Sequence, residues 1–149
     1  MKQKLNISES QNIEFKEAWR DEYLKWICGF ANAVGGKLYI GVNDAQEIVG
    51  VADSKRLMED LPNKIDNYLG IVADVNLLHA GNVDYIEIVV EPSSMPVSYH
   101  GQYHYRSGST KQELKGMALQ QFMLKKMNIS WDSMVMPSAT MDDIDSAAV

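Results

Sequence analysis

Gly35-Gly36 constrains this chain most, because it divides a helical pattern from a strand pattern with nothing between them. Upstream, Tyr23, Trp26, Ile27, Phe30, Ala31 and Val34 recur at three- and four-residue spacing, which predicts a helix with one inward face. Asp21 and Glu22 stand at its start, where carboxylates favour the positive end of the helix dipole. Glycine accepts the left-handed backbone that closes a helix, so the helix is expected to stop at the pair. Directly downstream, Leu38, Ile40 and Val42 alternate with Lys37, Tyr39 and Gly41, the period of a half-buried strand.

The rest of the chain continues this mixture. Ile13 and Phe15 alternate with Asn12, Glu14 and Lys16, predicting a short strand over 11–17. Residues 37–51 read as a β-hairpin, with Asn43-Asp44-Ala45-Gln46 as its turn. Leu57, Leu61, Ile65 and Leu69 recur every four residues, and Pro62 is expected to break that run and begin a second helical segment. Two strands, Asp74–Ala80 and Val83–Val90, flank Gly81-Asn82, and residues 97–100 and 102–106 flank Gly101 as another hairpin. Thr110-Lys111-Gln112-Glu113 reads as a capping box opening a helix to about residue 127, with Leu114, Met117, Ala118, Gln121 and Phe122 inward. The expected class is α/β (α+β): a single compact domain with a mostly antiparallel or mixed sheet and about three helices. It would cover 1–130, leaving 131–149 as a linker or the truncated start of a following segment.

The 149 residues carry a formal charge of -6, which at first argues against a polyanionic partner. The charge is unevenly placed. Residues 132–149 hold four aspartates (Asp132, Asp142, Asp143, Asp145) and no Lys or Arg, leaving -2 on the rest. No apolar run is long enough to cross a membrane, and no basic segment followed by an apolar one suggests a secretory signal. Cys28 is the single cysteine, which excludes an internal disulfide framework and a thiolate zinc cluster. A cytoplasmic setting is expected.

Glu9-Ser10-Gln11-Asn12-Ile13-Glu14-Phe15-Lys16, then Phe30-Ala31-Asn32-Ala33-Val34-Gly35-Gly36 and the stretch from Lys37 to Gly50, occur in an order that resembles the Schlafen-type AlbA-like domain. Tyr105-Arg106-Ser107-Gly108-Ser109-Thr110 is similar to the closing hairpin of that family, and the resemblance covers roughly residues 8–125. In bacteria such domains stand at the N-terminus of transcriptional regulators, many labelled RecG-related. The resemblance implies binding of DNA or RNA by a compact module. It also implies a second role, since animal Schlafens cleave RNA with three carboxylates on a divalent metal. Glu9, Glu14 and Asp44 match those positions, as catalytic residues and as ligands for Mg²⁺ or Mn²⁺. One lobe is present here instead of two, so a comparable cleft would require a homodimer.

The residues themselves leave both uses open. Hard carboxylate oxygens suit Mg²⁺ or Mn²⁺, which can stabilise a phosphodiester transition state. Equally, Glu9 suits a helix cap or the surface, Glu14 suits pairing with Lys16, and Asp44 suits a turn. Arg106, Ser109, Thr110 and Lys111 are candidates for phosphate at a helix start, with Lys16, Arg20 and Lys37 extending a basic face. ATP is not expected in this segment, because Gly35-Gly36 follows a helix whereas a phosphate loop precedes one. His79, His100 and His104 lack metal spacing with any thiolate and are expected on sheet surfaces. Three readings follow: a nucleic-acid-binding module, a metal-dependent endoribonuclease, and a dimerisation or ligand-sensing module.

Overall fold

Residues 3–5, 7, 12–107 and 110–134 are described by the computed structural model, with side chains to Met127. Strand β1 (Ile13–Lys16) leads through a single 3-10 turn at Asp21–Tyr23 into helix α1 (Leu24–Asn32). Strand β2 (Gly36–Ile40) follows at once, as the glycine pair requires. Helix α2 (Ser54–Leu69), strands β3 (Asp74–Ala80) and β4 (Val83–Val90), strands β5 (Tyr103–Ser107) and β6 (Thr110–Leu114), and helix α3 (Gly116–Met134) complete the order.

Four strands form one sheet in the order β1-β2-β4-β3, with β1 and β2 parallel and the other pairs antiparallel. The β5–β6 hairpin is a separate two-stranded ribbon that packs on α1. Helix α1 therefore has sheet on one side and ribbon on the other. Leu24, Ile27, Cys28, Gly29, Phe30, Ala31 and Asn32 are all buried, as a helix covered on opposite faces demands. The result is one α+β domain with a mixed sheet and three helices.

Alternation along β2 and β4 sends Leu38, Ile40, Ile86, Ile88 and Val90 toward α1 and α2, where they meet Leu24, Ile27, Phe30, Leu61 and Ile65. Each such side chain stabilises the fold by about 1.5–3 kcal/mol when fully buried. The opposite sheet face carries a smaller cluster of Phe15, Tyr39, Val42, Ile48 and Tyr85, with Leu5, Ile7 and Ile13 against it. Two close approaches depend on glycine. A Cβ on Gly36 would lie 2.4 Å from Phe30, and one on Gly29 would lie 3.3 Å from the backbone nitrogen of Arg106. The second contact lets the ribbon rest directly on α1.

Several expectations are corrected by pairing partners. The 37–51 hairpin is reduced to a single antiparallel bridge, Val42 to Ile48, because β2 pairs along its length with β1 and β4 instead. The amides of Gly41 and Val42 both reach the carbonyl of Lys16, a bulge that turns Val42 onto the face opposite Leu38 and Ile40. Pro62 does not divide α2, which runs unbroken past it because Leu61, Ile65 and Leu69 stay buried. The turn at His100-Gly101 exists, with φ of 51° and 78°, but only the Tyr99–Gln102 bridge flanks it.

The capping box is overturned outright. Residues 110–114 form β6, paired with β5 from Ser107↔Thr110 to Tyr103↔Leu114, and α3 begins only at Gly116. Met117, expected inward, is 72% exposed. Among the described residues, no helix is long and apolar enough to cross a membrane.

Candidate functional site

Side-chain alternation on β1 decides what the first strand offers. Glu14 aligns with Leu38 in the parallel register, so Glu14 and Lys16 share the helix-facing side of the sheet, at its open edge. Tyr23, the last residue of the 3-10 turn, and Trp26 on the neighbouring α1 come round to the same edge. From the ribbon, Arg106 and its cross-strand partner Lys111 close the group.

The centre of the cluster is the Trp26 indole. Lys16 Nζ lies 5.1 Å from its ring centroid, Arg106 Cζ 5.1 Å and Lys111 Nζ 6.0 Å. Lys16 also lies 4.9 Å from the Tyr23 ring, and Arg106 5.0 Å from Phe30. Cations over aromatic faces gain from the ring quadrupole, by ~0.5–2 kcal/mol depending on exposure. The Glu14 carboxylate joins this group. Arg106 Nη1 donates to Glu14 Oε1 at 3.2 Å, and Lys16 Nζ lies 3.4 Å from Glu14 Oε2. Arg106 Nη2 donates in addition to the Ile13 carbonyl at 3.1 Å.

Exposure separates these cations into two kinds. The Arg106 side chain is 4% exposed, whereas Lys16 keeps 22% and Glu14 20%. Burial pulls the Arg106 guanidinium below its usual range, and the Glu14 carboxylate opposes that shift. Arg106 is thus a structural cation beneath the surface. Lys16 and Lys111 are the groups a solute can meet.

The remaining candidates lie elsewhere. Lys37 aligns with Ile13 and so stands on the other sheet face, 3.8 Å from Glu87, which also accepts from Tyr39 and Asn76. Arg20 is exposed ahead of α1 and lies 3.9 Å from Glu22. Asp44 is exposed at the tip of the turn after β2, where Asn43 accepts from the amides of Ala45 and Glu47. Thr110 donates its hydroxyl to the Ser107 carbonyl within the ribbon, and the helix start expected there is absent, so no helical amides face it. Glu9 and Ser109 lie outside the described residues. Among the described residues, no three His, Cys, Asp or Glu side chains are grouped to hold a metal.

Two groups behind the site matter to its shape. Asn32 donates to the carbonyls of Val97 and His104 and accepts from the Val97 amide, each at 2.8 Å, which ties α1 to the ribbon and the loop before it. His104 is buried rather than on a surface, and among the described residues neither ring nitrogen has a hydrogen-bond partner. Burial holds its pKa below the ordinary value, and Lys111 and Lys25 push the same way. The helical spacing places Trp26 on the inward face of α1, while Asn32 stands only within the motif over residues 30–36, with no reading of its own. Helical period alone does not show that Trp26 reaches the sheet edge, nor that Asn32 bonds across to the ribbon.

Residues 9–115 match the family model described as Schlafen, AlbA_2. The chain belongs to this family. Two solved structures have the same fold. The DIP2311 protein from Corynebacterium diphtheriae superposes with a TM-score of 0.59 at 20% identity, over 70% of this chain and 25% of that one. This chain therefore spans a quarter of that protein's length. The N-terminal domain of a RecG-related protein from Nitrosomonas europaea superposes at 0.53 with 23% identity, over 74% of this chain and 87% of that domain. In this Schlafen AlbA_2 domain, the matched region runs from ahead of β1 to the end of β6, so it contains every member of the Trp26 cluster.

Proposed function

We propose that this domain binds nucleic acid through its phosphate backbone, with Lys16 and Lys111 as the contacting cations and Trp26 as their support. The observation that carries this reading is the convergence of three cations on one indole, where among the described residues Glu14 pairs with two of them. Such a patch has little reason to form on a domain whose formal charge is negative unless something anionic meets it. The similarity to a domain from a RecG-related protein, named for relatedness to an ATP-dependent DNA helicase, supports the same direction. On this reading the chain is the N-terminal, nucleic-acid-binding module of a bacterial transcriptional regulator. Arg20 and Lys37, on other faces, add only to the general field.

The test is equilibrium binding of short duplex DNA and of single-stranded RNA across a salt series, with EDTA present. Binding should weaken steeply with salt. The Lys16→Ala/Lys111→Ala variant should lower the slope of log K against log salt by about 1.4–1.8, the contribution of two phosphate contacts. An unchanged slope would remove the proposed surface. In a parallel incubation with Mn²⁺ in place of EDTA, RNA cleavage that Glu14→Ala abolishes would replace binding with nuclease chemistry.

A further inference from the structure

We infer that Glu14 is a built-in placeholder for a nucleic-acid phosphate, occupying Lys16 until a phosphate displaces it; this rests on the binding function proposed above. The geometry is a divided carboxylate. One oxygen is held by buried Arg106 at 3.2 Å, and the other faces Lys16 at 3.4 Å. A carboxylate and a phosphodiester both present a pair of anionic oxygens, so the two compete for one ammonium group. Glu14 and Lys16 are each about one-fifth exposed, so the contact between them is within reach of solvent.

The arrangement also sets an order of events. Among the described residues Lys111 has no acidic partner, although it stands near the same indole. A phosphate meeting the ribbon therefore engages Lys111 first. Lys16 follows by exchanging the Glu14 oxygen for a phosphate oxygen, while its contacts with the Tyr23 and Trp26 rings remain. Arg106 keeps its bonds to the other Glu14 oxygen and to the Ile13 carbonyl, so the strand does not move. An internal anion of this kind lowers affinity for every polyanion by the same exchange. The domain is thereby kept from binding nucleic acid tightly on its own.

Glu14→Gln in the full chain tests this, because glutamine retains the shape and an oxygen acceptor for Arg106 but loses the charge. Binding of short duplex DNA in EDTA should tighten by about three- to tenfold at low salt. In a Lys16→Met background the gain should vanish. Equal or weaker binding by Glu14→Gln, or a gain that survives Lys16→Met, overturns the inference. If circular dichroism shows that Glu14→Gln is unfolded, Glu14→Asp carries the test by withdrawing the carboxylate from Lys16. A smaller gain, again abolished by Lys16→Met, is then expected, and unchanged binding overturns it. Wild-type protein that shows no salt-dependent binding defeats the function itself. Wild-type protein that binds, with Glu14→Gln no tighter, defeats only the placeholder.

Discussion

Arg106 and Lys111 stand directly opposite each other in the β5–β6 ribbon, yet their surroundings give them different work. The guanidinium lies under the surface, bonded to Glu14 and the Ile13 carbonyl, so its removal strands a partly buried carboxylate. Arg106→Met is expected to cost ~2–3 kcal/mol of stability, less than a fully buried pair because Lys16 remains beside Glu14. Lys111→Ala should cost under about 0.5 kcal/mol, as a half-buried cation with no ion pair among the described residues does, while weakening binding. Urea unfolding of the two variants beside their binding curves separates a supporting cation from a contacting one. Both residues are legible in the sequence as candidate phosphate contacts, Lys111 as part of a helix start that proves to be strand β6. Which one faces solvent depends on register and on the depth of the ribbon over Gly29, and neither is written locally. Cys28 is a second case. Its thiol donates to the Val97 carbonyl at 3.2 Å, and burial pushes its pKa up to about 11. Alkylation by iodoacetamide at pH 8 should therefore be slow in the folded protein and become fast once urea unfolds it.

Elements whose pattern is confirmed by their neighbours were readable, and those decided by a distant partner were not. β3 and β4 appear with the boundaries expected, since Ile86, Ile88 and Val90 alternate and Gly81-Asn82 closes the turn. Thr110-Lys111-Gln112-Glu113 suits a helix start equally well, but the ladder to Ser107–Tyr103 supplies hydrogen bonds that an isolated cap cannot match. The candidate cations divide in the same way: alternation along β1 puts Lys16 on the same face as Glu14, as expected, while pairing of Lys37 with Ile13 sends that lysine to the far face. Pro62 measures how strongly packing overrides propensity. It sits exposed in the ninth position of α2 and leaves the Met58 carbonyl without its helical amide, yet the helix continues because Leu61, Ile65 and Leu69 are buried. Pro62→Ala restores that amide, and the gain outweighs the added freedom of the unfolded chain. A rise in stability of ~1–2 kcal/mol is expected, readable as a higher urea midpoint with unchanged binding.

At the scale of the whole molecule, the charge of -6 leaves room for a local basic cluster because charge is regional, and the same regionality shapes stability against pH. Three groups bind fewer protons in the folded state than in the unfolded chain as pH falls. Burial depresses the His104 imidazole from its ordinary 6.5, hydrogen bonds from Lys64 and Trp19 lower Asp21, and those from His79 and Ser54 lower Asp84. By linkage, stability is complete above about pH 7, declines toward pH 5 as the unfolded chain protonates His104, and declines again below about pH 4 as the aspartates follow. On the alkaline side the sign reverses. Burial raises the Cys28 thiol and the hydroxyls of Tyr39, Tyr85 and Tyr99, with Glu87 adding to the shifts of Tyr39 and Tyr85. The unfolded chain then loses protons that the folded protein keeps, so stability falls above about pH 9. Urea midpoints across this range should trace a plateau between about pH 7 and 9. His104→Leu removes a buried imidazole whose nitrogens have no partner among the described residues, so it should leave the pH 7 midpoint intact and flatten the pH 5–7 limb alone. Persistence of that limb in the variant would assign it to a different group.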